Sequence, residues 1–139
     1  MGVRVKLKIK GRRASVITAA LVNSGFETED PELIIPESLA ERIGITGSSI
    51  AQYKLAGSSG VMGLRVEELI DVELLLDDKQ PIRAKAVVTI IPGEEEVIIS
   101  DYLASNLGIV ILNPHKGEWC LIEEIGRKVR FSEEPEFWR

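Results

Sequence analysis

The 139-residue chain is poor in the side chains that usually announce metal or thiol chemistry, with one cysteine, Cys120, and one histidine, His115. A single thiol forms no intrachain disulfide and no cysteine-rich zinc site, so stability has to come from an apolar core. Long apolar runs are missing too. The longest, residues 14–22 and 86–91, fall far short of the roughly 20 residues that a bilayer-crossing helix needs. There is no excess of positive charge: 17 Lys and Arg stand against 22 Asp and Glu, a formal net charge of -5. Nucleic-acid binding driven by counterion release needs a basic face, so that class is set aside. From Arg4 to Lys10 a charge falls at every second position, which leaves no room for the apolar centre of a signal peptide. The expectation is a cytoplasmic protein that uses no metal or cofactor and has neither membrane nor nucleic acid as partner. Few Gln and Met beside many Ile, Val, Glu and Arg is a composition met in thermophile proteins.

What remains is ordinary globular material, 45% hydrophobic and 28% charged. The length suits one domain able to bury roughly 68–70% of its unfolded surface. Val3, Val5, Leu7 and Ile9 alternate with Arg4, Lys6, Lys8 and Lys10, the period of a strand with one buried and one cationic face. Lysines on such a face read as protection of an edge strand against pairing. A turn at Gly11-Arg12-Arg13 leads into a second strand, residues 14–22, apolar on both faces and therefore inside a sheet. That strand runs straight into the polar turn Asn23-Ser24-Gly25. Next come an acidic stretch (Glu27, Glu29, Asp30, Glu32) and the apolar run Leu33-Ile34-Ile35. A helix should start at Pro36, turn Leu39, Ala40 and Ile43 inward, and stop at Gly44. Further strands are expected at 52–56, 66–76, 82–91 and 97–99, with a glycine-rich hairpin tip at 57–60. A second helix is expected at 101–107, capped by Ser100 or Asp101, and a last hairpin pairs 109–112 with 118–122.

One internal repeat is visible. Residues 33–45, LIIPESLAERIGI, match residues 97–109, VIISDYLASNLGI, without a gap. Two readings fit: similar strand-to-helix units that arose by chance, or a domain with internal pseudo-symmetry.

In this order of elements the chain resembles the single-lobe aspartic proteases of the retropepsin type. The resemblance rests on Ala20-Leu21-Val22-Asn23-Ser24-Gly25 at the end of a buried strand, where that family has Asp-Thr/Ser-Gly. It rests also on the hairpin containing Gly57, Gly60 and Gly63, on the helix at Pro36, and on Val97-Ile98-Ile99-Ser100-Asp101-Tyr102-Leu103 before the last helix. It spans roughly residues 3–122. It implies a mainly β, closed acid-protease barrel with two short helices over residues 1–122, and a C-terminal extension, 123–139, packed on the lobe or at a dimer interface. It further implies a homodimer that takes an extended peptide or protein. The catalytic turn would be Asn23, Ser24 and Gly25, supported by Ile98, Ile99 and Ser100. A flap would contain Tyr53, Leu55, Gly57, Gly60, Val61, Met62 and Gly63.

Two positions depart from the family pattern. Asn23 stands where the catalytic aspartate belongs, and Ser100 replaces a glycine. The family reaction needs two carboxylates sharing one proton, one of them activating water. An amide takes no proton from water near neutral pH, so two Asn23 residues in a homodimer supply no general base. Asn keeps the size and turn-forming hydrogen bonds of Asp, so the fold is untouched. Three readings stay open: a catalytically impaired, pseudoenzyme-like binding module; an active aspartic endopeptidase whose Asp was changed by engineering or returns by deamidation; and a structural or interaction protein that keeps only the fold.

Other candidates are weaker. His115 sits in a turn and Cys120 on a short apolar strand, with no third group to orient a thiol–imidazole pair. The acidic residues 27–32 lack the spacing of a calcium loop and read as a solvated loop.

Overall fold

In a computed structural model of the chain, residues 2–47, 49–53 and 61–139 are described, with side chains for all of these except 49–53 and 61. The opening alternation forms β1 (Val3–Lys10), which pairs antiparallel with β2 (Ser15–Val22) over its whole length. Val3, Val5, Leu7 and Ile9 are at most 1% exposed and point into the core. The following elements are β3 (Glu32–Ile35), α1 (Glu37–Ile43), β4 (Ser49–Tyr53), β5 (Val61–Leu74), β6 (Ile82–Ile90), β7 (Val97–Ile99) and α2 (Asp101–Asn106). Their order in the sheet is β1-β2-β7-β3-β6-β5-β4, and β5 also pairs with β1 through Leu7–Leu74, Lys8–Glu73 and Ile9–Val72. Six strands therefore close into a barrel, with β4 added outside β5. The fold is mainly β, a closed six-stranded barrel with two short helices.

Each helix is positioned by its ends. Leu39, Ala40 and Ile43 of α1 are buried, and Gly44 ends the helix at φ 76°, a conformation that side chains other than glycine resist. In α2 the Ser100 hydroxyl accepts from the Leu103 N–H and caps the helix, while Leu103 and Ala104 face the core. The barrel interior joins these to Val5, Leu7, Ala20, Leu33, Ile35, Val72, Val88 and Ile99. Each such Val, Leu or Ile contributes about 1.5–3 kcal/mol when taken fully out of water.

The repeat has a structural counterpart. β3 and β7 run antiparallel side by side, and Ile34 pairs with Ile98, its own equivalent in the repeat. Each of these strands then takes a parallel neighbour, β6 beside β3 and β2 beside β7. The backbone bonds match: Asn23 N–H donates to Ile99 O (3.1 Å) where Ile91 N–H donates to Ile35 O (3.3 Å). The two units are related by a local two-fold through the Ile34–Ile98 pair.

Several boundaries move. β4 begins at Ser49 rather than 52, residues 54–56 of the expected strand lying outside the described residues, and β5 includes Val61–Gly63 ahead of the expected start at Val66. Gly63 belongs to a strand, not a loop: a Cβ there would come within 2.7 Å of the Thr89 side chain, so its absence lets β5 approach β6. A register shift between Arg65 and Leu69 then lets β5 continue past the irregularity to Leu74. β1 is not an edge strand, since β2 and β5 flank it. Three of its four cations are held by acids instead: Arg4 by Glu96 (2.6 Å), Lys10 by Glu73 (2.6 Å) and Lys6 by Glu133 (3.9 Å). Glu32 is not part of a solvated loop. It is 3% exposed at the start of β3, and Arg65 donates to its Oε1 at 2.8 Å.

After α2 a small sheet forms from β8 (Ile109–Asn113), β9 (Glu118–Leu121) and β10 (Arg130–Phe131), in the order β10-β9-β8. Its charged connection is organised around Arg130, which donates to both carboxylate oxygens of Glu124 at 2.8 Å and pairs with Asp78 at 2.9 Å. The Arg130 guanidinium, helped by Lys128, pulls the Asp78 carboxyl down to about 2, and with the Leu121 N–H and Lys79 it holds Glu124 well below the usual carboxylate range.

Candidate functional site

The turn after β2 is shaped by two sets of bonds. Val22 is buried, Asn23 N–H donates to Ile99 O, and Phe26 N–H donates to Asn23 O at 3.0 Å. The Asn23 side chain folds back on the turn, its Oδ1 accepting the Gly25 N–H at 3.0 Å. Asn prefers turns for this reason, since its carbonyl stands in for a backbone acceptor two residues on. Asn23 is half-buried, and Ser24 and Gly25 are exposed.

Behind the turn Phe26 is 2% exposed and packs with Ile34, Ile91 and Ile98 in a second apolar cluster outside the barrel interior. Phe26 O accepts the Asp101 N–H (3.0 Å), and Asp101 Oδ1 accepts the Thr28 N–H (3.2 Å). Ser100 is fully buried. Its N–H donates to Glu32 O at 3.1 Å and its hydroxyl accepts the Glu32 N–H at 3.0 Å. A glycine at position 100 could not make the hydroxyl bonds, so the serine joins β3 to the start of α2.

Beside the turn lies an open hollow of about 450 Å³, bounded by Ser24, by Asp101 and Ser105 of α2, and by Ile109, Ile111 and Pro114. A second, apolar hollow of about 240 Å³ lies between Met62, Gly63, Leu64 and Pro92. Met62 is 59% exposed, whereas Gly63 is buried. Tyr53 and Val61 pair with each other across β4 and β5. Leu55, Gly57 and Gly60 lie outside the described residues.

Ile99 thus meets the Asn23 turn through its carbonyl and Ile98 packs on Phe26 just after it, whereas Ser100 bonds to Glu32 and to the first turn of α2. His115 is exposed on the β8–β9 turn, while Cys120 is fully buried and its thiol is pushed up by burial. Burial of the thiol disfavours the thiolate that nucleophilic chemistry needs. Among the described residues no three His, Cys, Asp or Glu side chains are grouped so as to hold a metal ion, and no helix is long and apolar enough to cross a membrane. Asp101 and the Glu32–Arg65 pair were not singled out by the sequence. Asp101 looked like a helix cap, and the partner of Glu32 lies 33 positions away.

An amide at the turn can orient a ligand by donating and accepting hydrogen bonds, but it cannot move a proton. No family model matches the chain, and neither does any curated protein.

Proposed function

We propose that the chain is a retropepsin-like, catalytically impaired binding module that works as a homodimer and grips an extended peptide. The observation that carries this reading is Asn23, an amide bonded back onto its own turn at the end of a buried strand, where the aspartic-protease reaction requires a carboxylate. Two further features support it. β8 has no strand on its outer side among the described residues, and its sequence IVILN holds no charge to discourage pairing. It also borders the hollow beside Ser24, so a second copy paired along β8 brings two Asn23 turns toward one axis. The apolar hollow between Met62, Gly63, Leu64 and Pro92 supplies contacts for side chains of a strand-like ligand.

The test has two arms. Light scattering at micromolar concentration should report twice 15.3 kDa. A strict monomer removes the shared groove and leaves the purely structural reading. Peptide cleavage should be absent in the chain as it stands and appear in Asn23→Asp, with a maximum on the acid side where a carboxylate pair shares one proton. Cleavage that survives Asn23→Ala places the chemistry elsewhere.

A further inference from the structure

Residues 132–139 have no regular secondary structure, yet they cross the outside of the β1–β2 hairpin. On the far side of β1, Glu133 N–H donates to Arg4 O and Arg4 N–H to Ser132 Oγ, both at 2.8 Å. On the far side of β2, Ala19 N–H donates to Glu136 Oε1 at 2.9 Å and Trp138 Nε1–H to Thr18 Oγ1 at 3.0 Å. Two strands span about 10 Å, which a few extended residues at about 3.3 Å each can cross.

The segment answers a gap in the barrel. β7 is three residues long and meets β2 only at Ala20, Leu21 and Val22. The β2 backbone before that point has no strand neighbour on this side among the described residues, and the Ala19 N–H would face outward without Glu136. Trp138 completes the cover. Its ring packs against the barrel core under the Arg42 guanidinium (5.6 Å), and its backbone N–H donates to Glu95 O at 2.8 Å. Ala19 is 2% exposed and Thr18 fully buried beneath this cover, whereas Phe137 between the two anchors is 51% exposed. Toward β2 the hold is therefore a carboxylate and an indole two residues apart, on a surface made by β2, α1 and the turn before β7.

We infer that the open edge of β2, with Thr18, Arg42 and Glu95 around it, is a docking site for a Glu-x-Trp segment, occupied in cis by Glu136 and Trp138 and separable from the barrel fold. A short terminal segment held at separate points, without a strand ladder of its own, opens locally without global unfolding. Once uncovered, such a strand edge is a surface for extended peptide.

Amide exchange read residue by residue in full-length variants tests this. Glu136→Ala and Trp138→Ala should each speed exchange at Ala19 by about tenfold, the scale of one hydrogen bond to a charged group, and leave Val72 and Ala86 in β5 and β6 unchanged. A synthetic peptide of residues 132–139, added in excess to Trp138→Ala, should restore the slow rate at Ala19. Unchanged exchange at Ala19 in both variants overturns the site. A Trp138→Ala chain that fails to fold, or faster exchange throughout β5 and β6, shows an integral piece of core rather than a docked segment. Failure of the peptide to restore protection overturns it as well.

Discussion

After β2 the chain turns through Asn23, Ser24 and Gly25; after β6 it turns through Ile91, Pro92 and Gly93. Both turns are tied to the central strand pair by the same backbone bonds, and both close with a bond three residues on, Phe26 N–H to Asn23 O and Glu94 N–H to Ile91 O. The side chains differ at every place that matters. The first turn puts a polar amide at its start and a buried phenyl ring at its end. The second puts buried Ile91 first and half-buried Glu94 last. Strand pairing about the two-fold dictates the backbone of both turns, and single side chains then decide which one presents polar groups to a ligand.

The largest effect expected from breaking this comparison is at Phe26. Its ring fills the cluster formed with Ile34, Ile91 and Ile98, so Phe26→Ala removes the apolar contact that anchors the first turn to the strand pair. A loss of about 3–5 kcal/mol is expected in urea unfolding, as for other buried aromatic truncations. A loss below about 1 kcal/mol would mean that the hydrogen bonds alone hold the turn.

Much of this arrangement was legible beforehand because it is written in short-range pattern. The alternation of residues 3–10, the helix stop at Gly44 and the match of residues 33–45 to 97–109 are all local signals. The two isoleucines that the repeat aligns, Ile34 and Ile98, turn out to face each other. Closure of the barrel was not legible in detail, since Leu7 meets Leu74 across a long stretch of chain and nothing near either residue marks the pairing. The same holds for Glu32. Acidic neighbours suggested solvent, but Arg65 reaches it from another strand and makes its burial tolerable. Ala19 lies under the C-terminal segment for a similar reason, because its cover comes from Glu136, 117 positions later. Side-chain pattern records which face is buried, and only the assembled chain shows what buries it.

A middle-sized effect separates the polar turn from its apolar counterpart. Asn23→Ala deletes the acceptor for the Gly25 N–H while leaving the backbone bonds of the turn in place. The expected cost is about 1 kcal/mol, the net value of one such hydrogen bond. Pro92→Ala on the exposed second turn should stay within about 0.5 kcal/mol, as surface changes usually do. Thermal unfolding of the two variants side by side gives the contrast, and equal losses would show that the Asn23 side chain does nothing for its turn.

The smallest effect sharpens the comparison at the last residue of each turn. Where Phe26 is apolar, Glu94 carries a carboxyl whose pKa is raised, first by partial burial and then by the neighbouring charges of Glu96 and Glu95. A carboxyl with a higher pKa in the folded state than in the unfolded chain is destabilising once it ionises. Stability therefore rises as pH falls through the folded value, and the gain is complete below the unfolded value, near 4. Glu94→Gln removes the charge at all pH values. The variant should melt slightly higher than the parent near neutral pH, and the difference should shrink toward zero as the solution is taken to about pH 4. A difference that stays constant over that range would trace to packing at position 94, and the second turn would then tolerate its half-buried carboxylate without electrostatic cost.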